Sequence, residues 1–218
     1  MKHRETARVR EERIQRGRTI LLRLSHLLPG AGMVLQFHNH WELLVAVELS
    51  AQCTDKKVNE VTKKLFARYP TLDDYVSADP SEFERYIFST GFYRNKTKNI
   101  LAAARMVKQE FHGVVPQTMA EMLTIPGVAR KTANVVLGNA YGIVSGIAVD
   151  THVKRFARLF GLSDETDPNK IERDLMEVLP EAQWFHATYL FIEYGRQYCP
   201  ARCRHETCPL REYIVSHQ

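Results

Sequence analysis

Apolar positions along the chain recur at helical spacing, three and four residues apart, between residues that start and stop helices. No stretch sustains the two-residue alternation of a half-buried strand. An all-α fold is therefore expected. An apolar series from Thr19 runs to the stop Leu28-Pro29-Gly30, and a second helix is predicted from Trp41 to Gln52 through Leu44, Val45, Val47 and Leu49. Glu48 interrupts that apolar helix and reads as an exposed or hydrogen-bonded carboxylate at its edge. Asp79-Pro80-Ser81-Glu82 supplies an N-cap, a proline at the first helical position and a capping-box glutamate. A helix from near Lys96 buries Ile100, Leu101, Ala104, Val107 and Phe111 before Gly113, and Thr118 with Glu121 caps the next. Asp150 occupies an N-cap position ahead of Val153, Phe156, Ala157 and Phe160. Asp167-Pro168 opens one further helix, and Trp184 to Gly195 forms the last long one.

One junction between these elements is unusually short. In the run from Leu123 to Leu137, Pro126 forces Ile125 out of helical conformation, Gly127 permits a tight turn, and an apolar helix begins at once. Two helices joined by a hairpin follow. Such a turn presents the backbone N–H groups around Gly127, Val128, Ala129 and Arg130 at a helix amino terminus, where they suit a phosphate oxygen without reading base sequence.

Composition narrows the class. No apolar run reaches the length of a membrane span, and the amino-terminal stretch alternates Arg, Lys and Glu, unlike a secretory signal or a transit peptide. A cytoplasmic protein with no membrane partner is expected. The formal net charge of +5 adds a mild bias toward polyanions. Cys53 stands alone while Cys199, Cys203 and Cys208 crowd the carboxyl terminus, which favours a metal or cluster remnant over a disulfide framework.

The run I-P-G-V-A-R-K-T-A-N-V-V-L, followed by A-V-D-T-H-V, resembles the helix-hairpin-helix DNA glycosylase superfamily and, within it, the endonuclease III family. The likeness continues in L-L-V-A-V-E-L-S-A-Q-C-T-D, S-T-G-F-Y-R-N-K and Y-G-R-Q-Y-C, and spans the chain from about Leu43 onward. It implies a two-lobe fold: a six-helix barrel domain over 34–142 carrying the hairpin, and a second helical lobe from 1–33 with 143–218. Duplex DNA with a damaged base or an abasic site would lie in the cleft between them, bound by a monomer. The family usually has a second glycine where this chain has Ala129, which bears on the hairpin backbone.

The resemblance also assigns chemistry. Monofunctional relatives lack a lysine at position 131, so Lys131 implies an amine nucleophile at C1′, a Schiff-base intermediate and β-elimination on the 3′ side of the abasic site. Asp150 is implied as the carboxylate that stabilises positive charge on the sugar. Read without the resemblance, Asp150 is an N-cap and Lys131 a solvated lysine. Gln52 matches the residue that fills the void left by an extruded nucleotide, and Phe92 matches an apolar wedge. Arg94, Lys96, Lys98 and Arg130 are candidate phosphate contacts or solvated surface charges. His152 reads as a structural hydrogen-bonding residue. Oxidised pyrimidines are the implied substrates; a non-catalytic hairpin DNA-binding protein and a monofunctional adenine mismatch glycosylase are the alternatives.

Family members commonly hold a four-iron, four-sulfur cluster with four cysteines in a Cys-x6-Cys-x2-Cys-x5-Cys pattern. Here Cys208 as the third ligand puts His205 and Ile214 at the second and fourth, Cys199 matches the first with one residue fewer between it and the second, and Cys203 is displaced. The incomplete pattern favours an eroded, cluster-free site, with Cys199, Cys203, Cys208 and either His205 or His217 as residual candidates for a cluster or zinc. The chemistry itself requires no cofactor.

Overall fold

A computed structural model describes residues 6–215. His217 lies outside them. Among the described residues the chain is helical without strands, as the periodicity predicts. No helix among them is long and apolar enough to cross a membrane. Contacts divide the chain into two units, the described parts of Met1–Met33 with Gly146–Gln218, and Val34–Ser145.

The Val34–Ser145 unit is built around α2 (His40–Leu49), in which nine of ten residues are buried. A helix apolar on every side has no solvent face, so it must be enclosed by other helices. Those are α3 (Asp55–Arg68), α6 (Tyr93–Glu110) and α8 (Arg130–Tyr141). Helix α3, absent from the elements expected above, buries Val58, Val61, Thr62, Leu65 and Phe66 at regular helical spacing and is capped by Thr54. The short α4 (Leu72–Val76) opens with a full capping box between Thr71 and Asp74. It packs on α6, as does α5 (Pro80–Ile87), and Tyr69, Tyr75 and Phe83 meet edge-on or tilted between these helices.

Two boundaries differ from the sequence expectation at functionally important places. Helix α2 stops at Leu49, leaving Gln52 outside it with a left-handed φ of 54°, and α6 starts at Tyr93, with Phe92 left-handed at φ 48° as its N-cap. Neither residue is a glycine, so each position is sterically disfavoured and is held by its surroundings.

The other unit packs α1 (Ala7–Leu27) against α10 (Pro168–Val178) and α11 (Trp184–Gln197), with α9 (Thr151–Leu159) on α10 and α11. Helix α1 begins well before Thr19, capped by Thr6, because its first turns are polar and carry no apolar signal. Phe156, Phe160, Phe191 and Tyr194 form the aromatic centre of its core. Gly195 is required in α11 because a Cβ there would sit 2.2 Å from Nδ1 of His152. That nitrogen is buried and has no hydrogen-bond partner among the described residues.

Candidate active site

The hairpin forms between α7 (Met119–Met122) and α8. Thr118 caps α7 by accepting from the Glu121 N–H, Val128 donates its N–H to the Ile125 carbonyl at 3.1 Å, and Gly127 turns the chain at φ 87°. Ala129 is the N-cap of α8 at φ −92° and ψ 169°, an extended conformation open to alanine, so the absent second glycine costs the hairpin nothing. The N-cap residue Ala129 has no polar side chain with which to cap the first turn of α8. A helix start of this kind, with its dipole, suits an anion.

Lys131 is the second residue of α8 and is exposed. It lines a cavity of about 210 Å³ together with Glu48, Gln52, Phe92, Asn95 and Asn99. Three residues singled out by sequence, Lys131, Gln52 and Phe92, thus share one pocket although they come from separate segments. Phe92 is 63% exposed, an unusual state for a large aromatic ring flanking a polar cavity.

Glu48 departs from the expectation of an exposed or bonded helix-edge carboxylate. It is 7% exposed, and no donor among the described residues engages its carboxyl. Burial pushes its pKa from the ordinary 4.5 up to about 8. Its Oε2 also fills the space next to Gly127, where a Cβ would lie 2.6 Å away. A side chain at 127 would therefore collide with Glu48 as well as strain the turn. The sequence signal for this role was a carboxylate amid the apolar residues of α2, which also carries Glu42 in its first turn; its direction into the pocket comes only from the helix register.

Lys96 is likewise corrected. Its ammonium is buried and donates to the carbonyls of Leu49 at 2.9 Å and Thr90 at 2.8 Å, ending α2 and the turn before Phe92. It is therefore a structural clamp on the backbones that carry Gln52 and Phe92, and burial lowers its pKa. Arg94 and Lys98 are exposed, the former over the Tyr93 ring at 5.1 Å.

In the other unit, Asp150 is the N-cap of α9, accepting the Val153 N–H at 2.8 Å. Asparagine can make the same bond and alanine cannot. Asp150→Ala should lower stability by about 1 kcal/mol while Asp150→Asn leaves it nearly unchanged, as chemical denaturation would measure. Equal losses would show that charge, not capping, is what the fold needs there.

The same unit gathers Cys199, Cys203, His205 and Cys208 beyond α11, in a group that could bind a metal ion. Cys199 and Cys208 are buried, Cys203 and His205 partly so. Burial raises the Cys199 thiol and pushes Cys208 up to about 12, whereas the His205 N–H donating to Cys203 holds that thiol below its ordinary range.

The family model for HhH-GPD superfamily base excision DNA repair proteins matches residues 45–181. Endonuclease III of Synechocystis sp. is 53% identical over 188 residues, covering 86% of both chains, and endonuclease III of Bacillus subtilis is 42% identical over 190 residues at the same coverage. A solved non-covalent endonuclease III–DNA complex superposes with a TM-score of 0.88 at 39% identity, over 92% of this chain and 94% of that one. The chain belongs to the endonuclease III family within the HhH-GPD superfamily of base excision DNA repair proteins.

Proposed function

We propose that this chain, a base excision repair DNA glycosylase by family, is also an abasic-site lyase in which Lys131 is the nucleophile and Asp150 the catalytic carboxylate. The observation that carries the reading is the pocket in which an exposed lysine at an uncapped helix start is flanked by Gln52 and Phe92, both in left-handed backbone. Duplex DNA is the partner, held by phosphate contacts at the N–H groups of Gly127, Val128, Ala129 and Arg130. Gln52 fills the space vacated by the damaged nucleotide and the Phe92 ring wedges the neighbouring bases.

The Lys131 amine forms a bond to C1′ as the glycosidic bond breaks, and the base departs with a proton. Asp150 stabilises the positive charge that develops on the sugar. Ring opening, with rupture of the C1′–O4′ bond and protonation of O4′, gives an iminium that acidifies the C2′ proton; loss of that proton, with rupture of the C3′–O bond, releases the 3′ phosphate and leaves a cleaved strand. Oxidised pyrimidines and abasic sites are the substrates, and the protein acts as a cytoplasmic monomer.

Borohydride trapping on abasic and thymine-glycol duplexes tests the proposal, because the reductant fixes the iminium as a stable protein–DNA adduct. A covalent band on both substrates is expected. A folded protein that binds the duplexes yet never traps is a binding module, and one that releases adenine opposite 8-oxoguanine without trapping is a monofunctional glycosylase.

A further inference from the structure

The four-iron cluster implied by the family resemblance and the donor set of this chain do not fit each other. A cubane places its four protein ligands on four different irons, spreading their donor atoms to roughly 6 Å apart. In this chain the Sγ atoms of Cys199, Cys203 and Cys208 and the ring nitrogen of His205 all lie within 4.8 Å of one another. Cys203 and Cys208 are 3.2 Å apart, Cys199 and Nδ1 of His205 3.3 Å, and Cys208 and the same nitrogen 3.8 Å. One ion with metal–sulfur bonds of about 2.3 Å and a metal–nitrogen bond of about 2.0 Å needs tetrahedral edges of roughly 3.5–3.8 Å. The observed spacing surrounds a single ion and leaves no room for a cubane.

We infer that Cys199, Cys203, His205 and Cys208 bind one tetrahedral zinc ion, in a site that has replaced the cluster rather than merely lost it. Two features of the chain support that coordination independently of the spacing. His205 is a non-glycine residue in left-handed backbone, φ 65°, and this strained turn brings its ring to two of the sulfurs while its N–H donates to Cys203 Sγ at 3.3 Å. An amide directed at a sulfur stabilises the thiolate that a metal requires. Arg155 bonds the carbonyls of Cys199 and Pro200 at 2.6 and 3.1 Å and places its guanidinium 3.8 Å from Cys199 Sγ. Three thiolates and a neutral imidazole leave a zinc site one unit negative, which that cation offsets. Cys203, two residues before the second position of the cluster pattern, is the ligand that closes the set.

Metal and acid-labile sulfide measured on one sample of the full-length protein test the inference. About one zinc per chain with no labile sulfide is expected. Four irons with matching sulfide and a broad band near roughly 400 nm would overturn it, as would metal-free protein with Cys203 and Cys208 joined in a disulfide. Cys203→Ser and His205→Ala should each cut bound zinc at least about tenfold while Cys53→Ser leaves it unchanged; zinc retained in both ligand variants contradicts the assignment. Should those variants fail to fold, cobalt exchanged into the wild-type protein decides. Intense visible bands of tetrahedral thiolate-bound cobalt are expected, and the weak spectrum of octahedral cobalt would rule the site out.

Discussion

Lys131→Ala should abolish borohydride trapping and lower strand cleavage by about 10³-fold or more, with DNA affinity and folding retained. The size of the effect follows from the covalent step: without the amine there is no iminium, so excision and β-elimination lose their shared intermediate. The retention of folding follows from geometry. Lys131 is exposed at the second position of α8, where truncation to alanine removes no core contact and favours the helix, so stability should change by less than about 0.5 kcal/mol. Trapping gels, duplex affinity and a denaturation curve on the same preparation separate these quantities. Persistent trapping would move the nucleophile elsewhere, and an unfolded variant would make Lys131 structural.

Glu48→Leu should stabilise the protein at neutral and alkaline pH and remove a pH dependence that the wild type shows. The sign comes from proton uptake. With a folded pKa of about 8 against an ordinary 4.5, the folded state holds more protons than the unfolded state between those values. Wild-type stability therefore falls as pH rises from 4.5 through 8 and levels off above. At about 1.4 kcal/mol per pKa unit, the loss reaches up to about 5 kcal/mol. Leucine has nothing to titrate, so its advantage should be small at pH 5 and largest near pH 9, read as the difference between two stability–pH curves. Parallel curves would show that Glu48 is solvated or partnered in solution. A natural chain that keeps such a costly carboxylate in the pocket of its lysine carries it for a reason other than stability. Activity measured on the same variant would show whether that reason lies in catalysis.

The elements were legible to very different degrees. Helices α5, α9 and α10 announce themselves through Asp79-Pro80, Asp150 and Asp167-Pro168, since cap and proline chemistry acts on neighbours in sequence. The first turns of α1 are polar, so periodicity misses them; packing of the later turns on α10 and α11 extends order toward the amino terminus. Around the pocket, the motif residues were nameable one by one, whereas the separate fates of two charged neighbours were not. Lys96 and Lys98 look alike in sequence, yet one faces the backbone ends of α2 and the turn before Phe92, and the other faces solvent. A helix advances 100° per residue, so two positions place like charges on opposite faces.

Local sequence alone determined the all-helical fold, the hairpin at Pro126-Gly127, the cap at Asp150 and the family to which the chain belongs, because each depends on residues adjacent in the chain or on a motif read in order. Tertiary packing alone decided that Glu48 is buried beside Lys131, that Lys96 is a clamp, that Gln52 and Phe92 adopt left-handed backbone, and that a displaced cysteine and a histidine close a four-donor set. These depend on which face of a helix meets which neighbour and how much water is excluded there, quantities set by the assembled core rather than by any stretch of the chain.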